Sequence, residues 1–493
     1  MKIFKSLLVL GTALAGPSLL AQQPPGPPEI PAADSAPVEV SKSQKAPGAG
    51  YLAKRFGLSE LEARQRLALD EKITESTASF VEAFGDDFVG VFIDHEPNYR
   101  VTFVIARDVP VGDAQKMVAQ ELRRYVAVKR SKYTVSELDV LNRRIADTLA
   151  NMKLPGTVGY DFRTDKFEIS ATETAGQKLM PALPTDLRSV VRFVPGGKPQ
   201  TVQTGARSGD VFYGGWQFFP APGTGTPTCT YAFSIRTGSG QDGMLTASSG
   251  HCQGNAAYKY PDGHTVTLVT PAEVDRFVFN NSGGSYDYRQ VRTGTIKPGP
   301  YVWFWNNRGG NYYQKTLSGW EYKSWANVNP NYPIEGGYSQ VTGAVLGSSA
   351  NTQNYNHAAG QTRCLGGQTT GITCGLITAS STTAVEVLDD GSTRQYYGYV
   401  KVEGQDYMVL ANGGDSGGPA VTEPVWNSTA GYYQVKAAGI VLIGSVRDRG
   451  DGYDRPCVMP GDQSCPAYYM PIDRINDHAA GTILTTTGAV AVN

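Results

Sequence analysis

With 493 residues the chain is long enough for two or three domains, each with a sizeable buried core. Its 44 basic and 45 acidic side chains nearly cancel, to a formal net charge of -1, so no electrostatic pull toward nucleic acid or an anionic membrane surface is expected. Past the N-terminus no run reaches 18 uninterrupted apolar residues, which argues against a helical membrane span there.

In chain order, "MKIFKSLLVLGTALAGPSLLAQQ" opens with two lysines, continues as an apolar run broken by Gly11, Gly16 and Pro17, and carries small residues at Ala13, Ala15 and Ala21. Residues 1–21 are expected to be a secretory signal peptide and the mature protein a soluble extracellular one. Residues 22–49 are Pro-rich without hydrophobic periodicity and read as a linker. Next, Ser59 and Glu62 make a capping-box pattern ahead of a charged Leu/Ala-rich run, so helix is expected up to Gly85. Two β-rich runs, Phe88 to Asp94 and Tyr99 to Ile105, flank "HEPN" as a hairpin. A helix around 113–126, another around 136–152 and a strand pair within Thr157 to Thr172 repeat that order, which predicts two small α/β lobes over 50–200. Beyond residue 200 charges thin out. Short β-prone runs such as "RFVFN", "YYGYVKV" and "KAAGIVLIG" then predict an all-β domain, sandwich or barrel, over 201–493.

Export favours disulfides over metal ligation for the six cysteines. Short closed loops favour Cys364 with Cys374 and Cys457 with Cys465, which leaves Cys229 with Cys252. No CxxC pair exists and the five histidines stand singly, so neither a metal nor a cofactor is expected.

In "NGGDSGGPAV", Asn412 to Val421, four glycines and a proline surround Ser416. Such packaging makes either a plain turn or a site for a reactive hydroxyl, and the second use needs a base and oxyanion donors. The candidate base is His251 in "MLTASSGHCQ", where an apolar strand runs into small residues beside Cys252. The candidate orienting carboxylate is Asp287 in "GGSYDYRQVR", with Asp275 in "EVDRFVF" as its local competitor.

"TASSGHC", "SYDYRQVR" and "GGDSGGP", in that order, resemble the chymotrypsin-like serine peptidases, most of all the bacterial secreted branch of streptogrisins and α-lytic protease. "CLGGQTTGITCG" is similar to a Cys-bounded TTG segment of that branch, and "FGDDFVGVFIDHEPNYRV" to its pro-regions. The resemblance covers about residues 50 to 493, with some 70 residues after Asp287 beyond what the family needs. It implies an all-β double β-barrel peptidase domain over 201–493, preceded by a two-lobed α/β pro-region over 50–200 that helps folding and inhibits until removed. It further implies a monomeric endopeptidase acting on protein or peptide substrates, with Ser416 as nucleophile, His251 as general base, Asp287 as orienter, and an oxyanion hole of the Gly414 and Ser416 N–H groups. Leu442, Ile443 and Gly444 fall on the wall of the specificity pocket, Leu442 and Ile443 where Ser and Gly are common. The family's cysteine shortly before the nucleophile is missing, and Arg363 stands one step before its cysteine as the candidate partner of Asp415. Two rival readings are an inactive peptidase-like binding module and a secreted serine esterase with a G-x-S-x-G elbow, which would place its acid and histidine after Ser416.

Overall fold

The computed structural model describes residues 47–196 and, beyond them, 198–201, 217–218, 229–248, 252, 257–259, 265–267, 269–280, 285–292, 299–304, 311–316, 319–324, 337–346, 356–367, 370–388, 390–404, 411, 415–427, 432–448, 454–456, 466–475, 481–485 and 488–491. The expected signal peptide, most of the expected linker, His251, Gly414, Cys457 and Cys465 lie outside the described residues.

Helix α1 (Pro47–Phe56) starts inside the stretch read as linker. Helix α2 (Glu60–Phe84) begins where the sequence signals it: the Ser59 hydroxyl oxygen accepts the Glu62 N–H at 3.2 Å, and Glu60 and Glu62 sit at the positive end of the helix dipole. Its buried stripe of Leu69, Ile73 and Phe80 covers a sheet of β1 (Phe88–Asp94), β2 (Arg100–Ile105) and β3 (Val126–Arg130), where Phe80 stacks on Phe103 at 4.0 Å. Strands β1 and β2 form the expected hairpin; β3 lies parallel to β2. The single helix expected at 113–126 is instead α3 (Val111–Met117) and a 3-10 turn (Gln120–Tyr125). Val118 turns extended between them, and the Ala119 N–H donates to Ser76 Oγ on α2 at 3.2 Å, a tertiary bond that replaces a helical one.

The same order recurs. Helix α4 (Val135–Asn151) is capped by a reciprocal Thr134–Glu137 box and followed by the hairpin of β4 (Gly156–Asp161) and β5 (Lys166–Ala171). Helices α5 (Glu173–Ala182) and α6 (Thr185–Val190) then cross over to β6 (Val191–Pro195), parallel to β5. Each half is a helix, a hairpin, a helical crossover and a third strand with its own hydrophobic core, so the duplication read from sequence extends to elements that the sequence did not mark.

From Cys229 onward every described element is a strand or a 3-10 turn. One six-stranded sheet contains β8 (Phe233–Thr237), β9 (Asp242–Thr246), β10 (Val269–Val278) and β11 (Tyr286–Arg292), closed out by the C-terminal hairpin Gly481–Thr485 and Gly488–Ala491. A second, larger sheet contains β12 (Tyr301–Phe304), β13 (Gly337–Ala344), β14 (Thr362–Gly367), β15 (Gly371–Val387), β16 (Thr393–Glu403), β17 (Pro419–Val421) and β18 (Tyr432–Asp448). The long segment after Asp287 supplies β12 and β13, and β13 pairs in parallel with β18.

The two regions share that second sheet. Strand β4 pairs antiparallel with β15, Gly159 opposite Thr382 through Gly156 opposite Val385, so β4, β5 and β6 extend it. Strand β7 (Lys198–Thr201) pairs antiparallel with β18, Thr201 opposite Ile443 through Lys198 opposite Val446. A third contact joins β1 to the segment before β14: the Ile93 N–H donates to Ala359 O at 2.8 Å, and His95 Nε2 lies 3.0 Å from Gly360 O. No described helix is long and apolar enough to cross a membrane.

Candidate active site

Ser416 sits in a tight turn that leads into β17. The Gly418 N–H donates to Asp415 O at 2.9 Å, the Gly417 N–H to Val441 O at 2.7 Å, and the Val441 N–H returns to Gly418 O at 2.8 Å, which clamps the turn to β18. Gly417 has φ +82° and a Cβ there would collide with the Thr230 carbonyl oxygen, so no other residue fits without strain. The Thr230 N–H holds Ser416 O at 2.7 Å. Ser416 itself is fully buried, and its hydroxyl donates to Leu442 O at 3.3 Å. A serine held this way is fixed in place through its backbone on both sides, while its hydroxyl keeps a long bond that it can exchange.

Asp287 stands on β11 opposite Phe277 of β10 and is fully buried. One carboxylate oxygen accepts the Ser248 N–H at 2.9 Å, three residues before His251. The competitor Asp275 is exposed and lies 3.7 Å from the Arg289 guanidinium, opposite which it is paired. Burial first, then the Asp287 charge, pushes the Tyr399 hydroxyl well above its ordinary range; for Tyr396, the order is burial, Glu386, then Asp287. Both phenols stay neutral beside the carboxylate.

The described residues flanking His251 are tied to both of the other candidates. Ser248 bonds Asp287, and Cys252 donates its N–H to Ser248 O at 2.6 Å. The Cys229–Cys252 disulfide, Cα atoms 5.8 Å apart, then links this loop to Thr230, which holds Ser416 O. Cys364–Cys374, with Cα atoms 4.0 Å apart, bridges β14 to β15 at directly opposed positions. Both pairs match the sequence reading. Leu442, Ile443 and Gly444 are buried in β18, with Leu442 packed in the hydrophobic core and its carbonyl at Ser416.

One contact differs from expectation. Asp415, 1% exposed, does not draw the Arg363 guanidinium: Arg363 donates to Thr362 O, Asn356 O and Gln361 Oε1 at 2.8–3.1 Å, on the side facing α2. There it bears on Asp70, whose carboxyl burial raises to about 7 in spite of the Arg363 charge. Asp415 is held by Thr370 instead, through its N–H at 3.3 Å and its hydroxyl at 2.8 Å. Thr370, Ser248 and Thr230 carry no sequence signal of their own beyond proximity to the quoted motifs, because each acts through a backbone N–H or a contact distant in sequence. A cavity of about 480 Å³ opens between α2, β13 and β18, lined among others by Asp70, Glu71, Gln361, Glu423 and Lys436; neither Ser416 nor Asp287 is among its described lining residues.

The chain matches no family profile and no curated protein. Three of the solved structures to which it is similar are a Nocardiopsis protease (20% identity, TM-score 0.31), a glutamic-acid-specific serine protease described as using a histidine triad in substrate binding (19%, 0.31), and an alpha-lytic protease homolog, N4 (17%, 0.27). They cover 53–54% of this chain and 94–96% of their own.

Proposed function

We propose that the chain is a serine endopeptidase of chymotrypsin type with two β-barrels, made as a secreted precursor. The observation that carries this reading is the glycine-locked turn that fixes Ser416 against Leu442 O, while a fully buried carboxylate, Asp287, grips the backbone just before His251. In this reading the His251 imidazole takes the Ser416 proton as Oγ bonds the scissile carbonyl carbon. Asp287 holds the ring tautomer and stabilises the imidazolium. The Gly414 and Ser416 N–H groups bear the oxyanion; one such donor is typically worth about 10²- to 10³-fold in turnover. The imidazolium then protonates the departing amine, and water repeats the sequence on the acyl-enzyme to free the acid.

Residues 50–200 are proposed as the pro-region, released after the barrels have formed. The supporting observation is β7, which lies as an added antiparallel strand on β18 at Ile443 and Gly444, the wall assigned to the specificity pocket, so that residues 198–201 occupy an edge on which a peptide substrate would pair. The esterase reading finds no support in the fold: among the described residues beyond 200 the strands do not alternate with helices.

The test is covalent labelling of the exported protein with a fluorophosphonate probe, followed by peptide mapping. Labelling at Ser416, lost in Ser416→Ala and cut by several orders of magnitude in His251→Ala and Asp287→Asn, is the expected result. An unlabelled wild-type protein that still binds peptides would replace the enzyme with a binding module, and Asp275→Asn as the crippled variant would move the orienting role.

A further inference from the structure

We propose that Thr370 is a positioning residue for the Ser416 turn, acting through Asp415; this rests on the reading of Ser416 as the nucleophile. A carboxylate withdrawn from water is costly unless donors replace its hydration, and Asp415 is 1% exposed. Thr370 supplies two such donors from one residue: its N–H reaches Oδ1 at 3.3 Å and its hydroxyl reaches Oδ2 at 2.8 Å. Holding both oxygens fixes the plane of the carboxylate as well as its position.

The seat beneath it is shaped to match. A Cβ at Gly367 would overlap the Asp415 carboxylate, and one at Gly418 would overlap Gly366 O, so the carboxylate and the turn press directly on the backbone where β14 gives way to β15. The Cys364–Cys374 disulfide clasps these two strands, which makes the seat stiff. At its other end Asp415 accepts the Gly418 N–H through its carbonyl, so a shift of its side chain turns the whole Asp415–Gly418 segment. That segment includes the Ser416 N–H, a proposed oxyanion donor whose direction matters most in the transition state. Arg363 is committed elsewhere, and Thr370 is among the donors that hold this carboxylate.

The experiment compares Thr370→Val, which deletes the hydroxyl, with Thr370→Ser, which keeps it, in the exported full-length gene product. The fluorophosphonate labelling rate at Ser416, kcat and KM for a peptide substrate, and the thermal midpoint are measured for each. Thr370→Val is expected to lose about tenfold to a hundredfold in labelling rate and kcat, the scale of a hydrogen bond to a charged group, with KM nearly unchanged; Thr370→Ser is expected to recover most of the loss. Thr370→Ala, which sets no methyl group against the carboxylate, makes the same measurement if the valine variant does not fold. Wild-type kcat in the folded variant lacking the hydroxyl, a serine variant as impaired as the valine one, or a loss confined to KM overturns the proposal. A wild-type protein that is never labelled overturns the nucleophile reading, whereas normal labelling that is indifferent to the Thr370 hydroxyl overturns only the role of Thr370.

Discussion

The front region, residues 47–196, and the β region from Cys229 onward handle polar side chains in opposite ways. In the front region charges such as Arg130 with Asp108 and Lys116 with Asp113 pair at the surface, buried Arg66 and His95 lie at the join with the β region, and its cores are made of helices packed on hairpins close in sequence. In the β region Asp287, Asp415, Ser416 and Thr370 are all buried, and bonds that hold them span long stretches of chain: 39 residues from Ser248 to Asp287, 45 from Thr370 to Asp415. One region can order itself from local contacts; the other must close large loops before its polar groups find their partners. The shared sheet sets the first beside the second as a ready-made edge.

The largest expected effect follows from that difference. Refolding a denatured, disulfide-intact fragment from about residue 205 to Asn493 should recover at least about tenfold more active enzyme when a fragment covering residues 47–200 is added in trans. Equal recovery in both tubes would erase the contrast, and an exported active species that still contains residues 50–200 would rule out their obligatory removal.

A smaller effect tests the rigidity of the β region. Gly417→Ala must adopt positive φ and push against Thr230 O, so the thermal or urea unfolding of the chain should lose about 2–4 kcal/mol and labelling at Ser416 should slow. An alanine variant as stable and as reactive as the wild type would mean that the turn is pliable.

The join between the regions should respond to pH through two groups of opposite sign. Burial lowers the His95 imidazole to about 4, below its usual 6.5; Arg66, Arg163 and Arg55 push the same way, and Gly360 O opposes them. Its contribution is present above pH 6.5 and is lost as pH falls toward 4. Asp70, raised from 3.8 to about 7, contributes below pH 3.8 and loses that contribution as pH rises through 7. In a Ser416→Ala background, which removes any self-cleavage, Asp70→Asn should make the urea midpoint fall from pH 6.5 to 4, and His95→Gln should make it fall from pH 4 to 7. Parallel slopes in the two variants would show that neither group reports the join.

The smallest effect is expected on the surface of the front region. Arg130→Ala breaks a pair whose side chains are 64% and 80% exposed, and should change its stability by less than about 0.5 kcal/mol. A larger loss would show that the front region also depends on its charges.

Much of the front region was legible residue by residue. Ser59 with Glu62 starts a helix where it stands, since a cap is a contact within one turn. Strand β3 and the crossover into β6 were not legible: each is short and is defined by a parallel partner far away. The break of the helix at Val118 was hidden for a similar reason, its cause being Ser76 on another helix.

Within the site, the sequence alone determined the chemistry that can be asked of the chain: a serine among glycines, a histidine after an apolar strand, a carboxylate in an aromatic strand, and cysteines spaced for pairing. Residue type and near-neighbour spacing carry that much, because they are properties of a few consecutive positions. Only the tertiary structure decided that Asp287 rather than Asp275 is enclosed, that Thr370 and not Arg363 holds Asp415, and that residues 198–201 lie along β18. Each of those outcomes depends on which segment covers a strand position after loops of tens of residues have closed, and burial, which sets the cost of an unpaired charge, has no value until they have.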